Sequence, residues 1–329
     1  MKKSTFMLGV ASFAMLAFVS CKKSETASSF EATTAPMEVV DEDRAYLNDD
    51  NNRIYFELGD VVKMFNISED DATISECADY VTKDAGTTVH FKPLEQMTVT
   101  SKGSFYSFFP AENVTPDLAN ENRATFEVSA VQDYYEVNGK PSFSKKDMYM
   151  ASQNKRVNNI NNVTFKFQSI MGVMRLKYFT TGDVNTIKNI KVVDKAFDLT
   201  GDVNLMVDKV TTAGLTAMCN NYDPSDPQAS AQLIADYKEM IGYNVTNKGN
   251  VVTLDFGETG YTLSDDATNP SVFYIVLRPL ALAHGYQVII TTMDDVEHVV
   301  VDRDGPQPTK KMVPNKIIGS SAIDLNDLL

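Results

Sequence analysis

The clearest pattern in the chain is an alternation of apolar and polar residues between Val163 and Tyr178. Val163, Phe165 and Phe167 alternate with polar residues, as expected of a β-strand with one buried face. The alternation resumes at Met174 in the opposite phase, so residues 170–172 must absorb an odd step as a bulge or a bend. Such a bend can carry one strand from one sheet of a sandwich to the other. Everything before the stretch Val163 to Tyr178 reads as one β domain, and everything after it as another.

The first half consists of short segments rich in Val, Phe, Tyr and Thr, separated by Gly, Pro, Asn or Asp. This pattern predicts consecutive strands, and their regular spacing favours an antiparallel sandwich. The predicted strands are Arg53 to Leu58, Val61 to Ile67, Thr88 to Leu94, Gln96 to Ser101, Ser104 to Ala111, Ala124 to Val131 and Lys146 to Ser152.

The second half continues in the same way, with one helix. Asp226 before Pro227 is a helix start signal, and the apolar residues from Leu233 to Ile241 have helical spacing, so this helix crosses over or covers a sheet edge. The apolar run that begins at Val272 predicts a central strand covered on both faces. The predicted strands are Thr186 to Asp194, Ala196 to Val207, Val251 to Gly257, Val272 to Leu280, Tyr286 to Asp295 and Glu297 to Gly305.

The polar connector Gln153 to Asn162 marks the domain boundary, because it has little to bury. The sequence therefore predicts an all-β fold with two tandem antiparallel β-sandwich domains, residues 54–158 and 159–329, and one short helix in the second.

The N-terminus has the features of an export signal over residues 1–20. Lys2 and Lys3 precede an apolar run of about 15 residues, which is too short to span a bilayer. The run ends in Phe18-Val19-Ser20-Cys21, which resembles a bacterial lipobox, so we expect acyl chains on Cys21 that anchor the protein in the outer membrane. The alternative is an ordinary signal peptide followed by an unmodified cysteine.

Residues 21–53 have the composition of a flexible tether, with a short apolar patch from Met37 to Val40. Arg44 and Arg53 are the first arginines of the chain, and each lies where a trypsin-like protease could cut before the folded body. The alternative is that both are solvated surface arginines.

The chain is acidic, with 30 basic and 44 acidic residues and a formal charge of -14. This charge argues against nucleic acid as a partner and weakens attraction to anionic lipid, so membrane attachment must be covalent.

No pattern indicates catalysis, a metal or a cofactor. His90, His284 and His298 lie far apart, and the chain lacks a nucleophile elbow, a P-loop and a dinucleotide-binding motif. We expect no enzyme activity.

Three weaker features leave alternatives open. The segment Asp302 to Gly305 begins like a calcium loop but is more typical of a turn. Cys77 and Cys219 are expected to be free thiols, with a disulfide as the alternative. Tyr134 and Tyr135 could stack on a sugar, although such pairs usually lie half in the core.

Six segments follow one another in a fixed order between roughly Tyr55 and Ile290. They are Gly59-Asp60-Val61-Val62, SFYSFFPA ending in Pro110, DMYMAS, VTFKF with RLKY, DLTGDVNL, and VFYIVLRPL followed by GYQVIIT. This ordered set resembles the fimbrillin family, the lipoprotein pilin subunits of type V pili of Bacteroidetes, and departs from it in lacking a Trp before the Gly-Asp pair.

The resemblance implies two transthyretin-like sandwiches and assembly by strand addition. An arginine-specific protease would remove the tether with its first strand, and the open groove would accept a strand from another pilin subunit. We expect cleavage between Arg44 and Ala45, with the Met37 to Val40 patch as the strand that leaves. Cleavage between Arg53 and Ile54 is the fallback.

The C-terminal residues 313–329 are the candidate donor strand. Ile317, Ile323, Leu325 and Leu329 share one parity, although Asp327 interrupts it. The alternative is an ordinary closing strand, which leaves open whether the chain is a stalk subunit or a tip or anchor subunit.

The rival function is an outer-membrane surface lipoprotein that binds glycan or another ligand. Such a protein would show a shaped pocket and remain monomeric, whereas a pilin would polymerise after proteolysis.

Overall fold

The computed structural model describes residues 25–26, 30–40, 54–68, 74–95, 98–99, 103–117, 123–137, 139–152, 155–157, 164–207, 209–242 and 248–326. Within these residues the chain is mainly β, which confirms the predicted fold class at that level. The first strands are β1 (Glu25–Thr26), β2 (Phe30–Thr34), β3 (Glu38–Val40), β4 (Val61–Ser68), β5 (Ile74–Thr82), β6 (Thr88–Pro93), β7 (Thr98–Val99), β8 (Gly103–Phe109), β9 (Val114–Asp117), β10 (Arg123–Val128), β11 (Val131–Asp133), β12 (Tyr135–Val137), β13 (Lys140–Ser142), β14 (Met150–Ser152), β15 (Lys155–Val157) and β16 (Thr164–Ser169).

The remaining strands and two α-helices follow after the bend at residues 170–171. The strands are β17 (Gly172–Phe179), β18 (Thr186–Asp194), β19 (Gly201–Met206), β20 (Ile241–Gly242), β21 (Val251–Asp255), β22 (Tyr261–Thr262), β23 (Ser271–Leu277), β24 (Gly285–Thr292), β25 (Glu297–Asp304), β26 (Lys316–Gly319) and β27 (Ile323–Asp324). The helices are α1 (Thr212–Asn221) and α2 (Pro227–Met240).

The largest sheet closes on itself into a barrel. Its strand order is β14-β16-β2-β6-β5-β4-β8, and the ring closes because β14 also pairs with β8 at the other end of the series. Met150 of β14 lies opposite Ser169 of β16 and Phe109 of β8. Strand β15 adds to the far part of β8. Closure gives each of the seven ring strands two neighbours, which removes the free edges of an open sheet.

Aromatic side chains fill the middle of this barrel. The Phe56 ring lies 5.3 Å from that of Phe91, and 5.4 Å from those of Phe109 and Phe167. Phe56 itself forms a single bridge with Gly86. The prediction of a strand from Arg53 to Leu58 is therefore wrong for residues 54–58, which are the ones that the structure describes. Its residues bury two side chains and then turn at Gly59, where φ is +92°.

A sandwich of two sheets forms the other core. The six-stranded sheet has the order β11-β21-β18-β24-β25 with β22 beside β18, and the five-stranded sheet has the order β23-β17-β26-β3 with β27 beside β17. Their buried residues, such as Ile190, Phe273 and Ile290, form a cluster distinct from that of the barrel.

The stretch from Val163 to Tyr178 changes sheets as its pattern predicts. β16 belongs to the barrel and β17 to the sandwich, with Ile170 and Met171 forming the bend between them. Val173 packs in the barrel cluster, whereas Met174 packs in the sandwich cluster. The domain boundary near residue 158 stays a prediction, but the change of sheet occurs at the bend.

The tandem arrangement of two separate sandwiches is not confirmed, because strands from both halves share a sheet. β19 pairs with β10 over six residues in the sheet of order β20-β19-β10-β9. Buried residues of this sheet and of both helices belong to the barrel cluster, including Phe126, Leu205 and Tyr237. The second half of the sequence therefore contributes to the first core.

The prediction of one helix is half right. α2 begins where expected, because the Asp226 carboxylate accepts hydrogen bonds from the Gln228 and Ala229 amides at 3.1 and 3.0 Å. The structure adds α1, whose first turn is capped by the Thr211 hydroxyl accepting from the Gly214 amide at 3.1 Å.

The prediction of a central strand at Val272 is wrong in position. β23 lies at the end of its sheet, and within the described residues it pairs only with β17. The Gln132 side chain replaces a strand there, because it donates to the Val276 carbonyl at 2.8 Å and accepts from the Val276 amide at 2.9 Å. In β23 itself Phe273, Ile275, Val276 and Leu277 are buried, whereas Val272 and Tyr274 are half-buried.

Gly172, directly after the bend, has little room for a side chain. A Cβ added to Gly172 would lie 3.0 Å from the Val313 carbonyl oxygen and 3.3 Å from Met312, so Gly172→Ala must displace backbone. We expect a loss of about 1 to 3 kcal/mol in the free energy of unfolding, measured by chemical denaturation. Gly182→Ala is the matched control, since its nearest neighbours are 3.4 Å away, and an equal loss in both variants would contradict this reading of the bend.

Candidate functional site

The strand β2 completes the barrel from a position early in the chain. It runs parallel to β16, with Ala32 opposite Phe165, and antiparallel to β6, with Ala32 opposite Val89. Four residue pairs join it to each neighbour. Without β2, strands β16 and β6 would each have an unpaired edge, and the barrel would be open along its length.

The inward face of β2 carries one large side chain among small ones. Phe30 is buried against three rings, with centroids 4.9 Å from Phe165, 5.0 Å from Tyr80 and 5.2 Å from Phe91. Ala32 and Thr34 follow inward at the alternate positions and are also buried. The apolar contribution of this strand therefore depends mainly on Phe30.

The phase of burial changes directly after β2. Thr34 and Ala35 are buried in succession, Pro36 is exposed, Met37 is buried and Glu38 is exposed. The Ala35 amide donates to the Phe167 carbonyl at 2.8 Å, which holds the chain on β16 through this step. Residues 30–38 thus have the burial order in, out, in, out, in, in, out, in, out.

The environment of β2 is strongly desolvated. Burial raises the pKa of Tyr80 to about 12, and its hydroxyl has no hydrogen-bond partner in the part of the chain that the structure describes. The buried hydroxyl of Thr34 also has no hydrogen-bond partner among the described residues. A buried hydroxyl without a partner costs about 1 to 3 kcal/mol, so the fit of the resident strand is imperfect.

The outward face of β2 makes polar contacts through Glu31. Glu31 accepts a hydrogen bond from the Thr164 hydroxyl at 3.3 Å, and its carboxylate lies 3.8 Å from the His90 ring. His90 in turn hydrogen-bonds Asp84 at 2.9 Å, which lowers the pKa of that carboxyl. These contacts are exposed and contribute little to the stability of the strand.

The segment that contains β2 continues into the second sheet. β3 pairs in parallel with the C-terminal strand β26, with Glu38 opposite Lys316. Asn315 joins the two, because its side chain donates to the Pro36 carbonyl at 2.9 Å and its carbonyl accepts from the Glu38 amide at 3.0 Å. One short segment therefore contacts both cores.

These positions correct the expectation for the tether. The composition of residues 21–53 predicts a flexible segment, but residues 30–40 form two paired strands. The strand that fills the barrel is Phe30–Thr34, not the apolar patch Met37 to Val40, of which Glu38–Val40 forms β3 in the other sheet. Small residues at 32, 34 and 35 are easily buried, although they do not read as apolar.

The predicted modification and cleavage residues Cys21, Arg44, Ala45 and Arg53 lie outside the described residues, as does Leu329. Ile54, which would begin the chain after the fallback cut, is buried. The lipidation and cleavage sites therefore stay predictions.

The structure places the C-terminal candidate residues on the chain's own sandwich. Ile317 in β26 and Ile323 in β27 both lie beside β17, opposite Val173 and Tyr178. Leu325 is buried in the cluster of the sandwich, and Ile317 is buried in that of the barrel. This is the arrangement of a closing strand in the single subunit, and a donor role stays a prediction.

A cleft of about 600 Å³ lies between β25 and residues 318–323. Charged and polar side chains line much of it, among them Arg175, Asp302, Arg303 and Ser320, with Tyr286 and Ile318 as apolar parts of the wall.

The remaining candidates have structural roles. Tyr134 packs against the rings of Tyr261 and Phe256 at 5.0 and 5.4 Å, while Tyr135 is exposed, as expected of a pair half in the core. Asp302 lies in β25 and pairs with Lys195, and the turn follows at Gly305, where φ is +69°. Cys77 and Cys219 form no disulfide within the part of the chain that the structure describes.

No cluster of three or more metal-binding side chains occurs among the residues that the structure describes. Over the same residues, neither helix is long and apolar enough to cross a bilayer.

Asp147 next to β14 makes the closed barrel sensitive to pH. Burial raises the pKa of Asp147 to about 6, with a smaller raising effect from Asp133 and an opposing one from Lys146. Because the folded state holds this proton more tightly than the unfolded chain, the contribution of Asp147 to stability is greatest below about pH 4 and is lost as pH rises through 6.

We therefore expect Asp147 to lower the free energy of unfolding by about 1 to 2 kcal/mol between pH 4 and pH 7. Asp147→Asn should remove this loss, measured by urea unfolding across that range. Glu297→Gln is the control, because Glu297 is exposed, lies in β25 of the sandwich and should change the profile little. An unchanged slope in Asp147→Asn would contradict the assignment.

Phe30 is expected to dominate the retention of β2. Phe30→Ala leaves a cavity among three rings and should lower the free energy of unfolding of the uncleaved protein by about 3 to 5 kcal/mol. Glu31→Ala, on the outward face of the same strand, should change it by less than about 0.5 kcal/mol. Equal effects of the two substitutions in thermal unfolding would refute the packing described for this strand.

Comparison with known proteins gives structural matches alone. No family model and no curated protein matches the chain. The structure is similar to that of a candidate cell adhesion protein from Bacteroides ovatus, with a TM-score of 0.50 and 13% identity over 91% of this chain and 93% of that one. This likeness shows a shared fold.

Two further structures are similar at lower scores. One is a candidate cell adhesion protein from Bacteroides uniformis, with a TM-score of 0.49 and 14% identity over 89% of this chain and 92% of that one. The other is a fimbrial assembly protein from Parabacteroides distasonis, with a TM-score of 0.36 and 10% identity over 90% and 91%.

Proposed function

We propose that the chain is a structural or adhesive subunit of a cell-surface pilus, exported as a lipoprotein and polymerised by protease-triggered strand exchange. Acyl chains on Cys21 would hold the precursor at the outer membrane. Cleavage after Arg44, or after Arg53, would free the segment that contains β2. The groove between β16 and β6 would then accept a strand from another subunit.

The observation that carries this proposal is the position of β2 inside a closed barrel. A strand from the chain terminus fills a central place in the sheet, between a parallel and an antiparallel neighbour. Its loss would leave two unpaired edges that face each other, which is the geometry that β-augmentation uses. The fold shared with a candidate cell adhesion protein, and the fimbrial names among the other neighbours, are consistent with a non-enzymatic role at the cell surface.

The segment that would leave buries little apolar surface, as expected of a strand that can be exchanged. Five side chains of residues 30–38 are buried, and only those of Phe30 and Met37 are large. Their apolar burial contributes about 3 to 6 kcal/mol. In the uncleaved chain the strand is also held by its covalent connection, which makes its binding intramolecular. Cleavage removes that advantage, and an incoming strand with more apolar surface would replace it.

The second candidate function is a surface lipoprotein that binds glycan or another ligand. The cleft of about 600 Å³ beside residues 318–323 favours it, because polar and charged groups converge with an aromatic ring. This function requires the C-terminal strand to stay in place as a wall, and it predicts a protein that remains monomeric after proteolysis.

The test is cleavage of the purified protein by an arginine-specific protease, with mass spectrometry of the new N-terminus. We expect a cut after Arg44 and ladders that resist SDS without boiling. Arg44→Ala should move the cut to Arg53, and the double variant Arg44→Ala/Arg53→Ala should give neither a cut in residues 21–53 nor ladders. A clean cut without ladders would reject self-assembly and favour an anchor, a tip or a ligand-binding protein.

A further inference from the structure

The cleft between β25 and residues 318–323 has room for a small molecule. Its volume of about 600 Å³ falls within the range of roughly 300 to 1,000 Å³ that is usual for small-ligand sites. Half-buried apolar side chains lie on its two sides, Val301 in β25 and Ile323 in β27. Thr309 and Ser321, which also line the cleft, are exposed and carry hydroxyl groups. A ligand in this cleft therefore meets small apolar areas next to hydrogen-bonding groups.

The alternation of β25 separates its positive charge from its negative charges. Arg303 lies opposite Tyr286, which is buried in the sandwich, so its side chain leaves the strand on the face that borders the cleft. Asp302 and Asp304 alternate with it and pair with Lys195. Arg303 itself forms no ion pair with any residue that the structure describes. The carboxylates of this strand are thus neutralised by another lysine, and Arg303 keeps its charge for the cleft.

Lys310 brings a second positive charge to the opposite side of the cleft. Its ammonium donates to the Gly319 carbonyl at 3.4 Å, which places it beside β26, across from β25. Together with Arg303 it creates a local positive potential in a chain with a formal charge of -14. Cations on two sides of one cleft suit a bound anion, and a carboxylate can accept hydrogen bonds from both.

We propose that this cleft binds a carboxylate-bearing sugar, with the carboxylate between Arg303 and Lys310. The guanidinium presents parallel N–H donors that match the two oxygens of a carboxylate. The sugar hydroxyls bond to Thr309 and Ser321, and a C–H face of the sugar ring rests on Ile323. This inference rests on the second candidate function proposed above, and it requires no strand exchange.

Other classes of small ligand fit the cleft less well. A purely apolar ligand would find little surface, because Met174, Met312 and Ile318 in the wall are already buried in the core of the sandwich. A compact inorganic anion would use the two cations but leave the hydroxyl groups and the apolar sides without contacts. An acidic sugar uses all three kinds of group.

The experiment is isothermal titration calorimetry of the uncleaved protein with galacturonate and glucuronate. Galactose and glucose are the neutral counterparts, and acetate supplies the carboxylate alone. We expect at least one uronate to bind with a Kd of about 1 mM, as ordinary ligand efficiency gives for a molecule of about 13 non-hydrogen atoms. Binding should weaken as salt is added, because the charges are close to solvent. The neutral sugars and acetate should bind at least about tenfold more weakly.

Substitutions assign the binding to this cleft. Arg303→Gln and Lys310→Gln should each weaken uronate binding by about tenfold, because each removes a charged donor to the carboxylate. Lys188→Gln is the matched control, since Lys188 pairs with Asp295 and does not line the cleft. It should leave the Kd within about threefold of that of the unmodified protein.

Four results would overturn the proposal: no uronate binding, equal binding of the neutral sugars, equal binding of acetate, or equal weakening by the control substitution. The ladder assay with the arginine-specific protease reports on strand exchange separately. Ladders without uronate binding would reject the sugar site and leave the pilus subunit in place. Uronate binding without ladders would support the site and reject self-assembly.

Discussion

The closure of the barrel by β2 is the constraint on which the rest of the structure depends. Every other ring strand lies between residues 61 and 169, and these strands alone leave a gap between β16 and β6. A sheet with two facing open edges exposes unpaired backbone groups and the rings that line its interior. The first core is therefore complete only when an extended segment occupies this place, whether that segment comes from the same chain or from another.

The sequence predicts this architecture well where side chains are large and regular. Thr186 to Asp194 is a strand with the predicted bounds, and Asp226 caps the helix that its position before Pro227 indicates. The change of phase after Phe167 correctly indicates a change of sheet. In each case a local pattern reports a local geometry, and the environment does not override it.

The prediction fails where burial does not require apolar residues or where the cover is remote. β2 contains one aromatic residue among Ala, Thr and Glu, so its composition resembles a tether although its inward face is buried. α1 has Gly in its first turn and only weak amphipathic character, and its cap at Thr211 is the one local signal that could have found it. β23 reads as central, yet its edge is satisfied by the Gln132 side chain, more than 100 residues away in the sequence. Such long-range contacts have no signature in the strand itself.

The division into two cores determines what strand exchange can change. The buried cluster of the barrel contains Phe30, Ala32 and Met37, and β3 of the same segment pairs with β26 in the sandwich. Loss of residues 30–40 would therefore remove packing from the barrel and one strand from a sheet of the sandwich. Strand β26 also contributes to both cores, because Ile317 packs in the barrel cluster and Ile318 in that of the sandwich. In the proposed strand exchange, a subunit that gave up β26 would loosen both cores, so donation would be favoured only after β3 had left and where a complete groove could receive the strand.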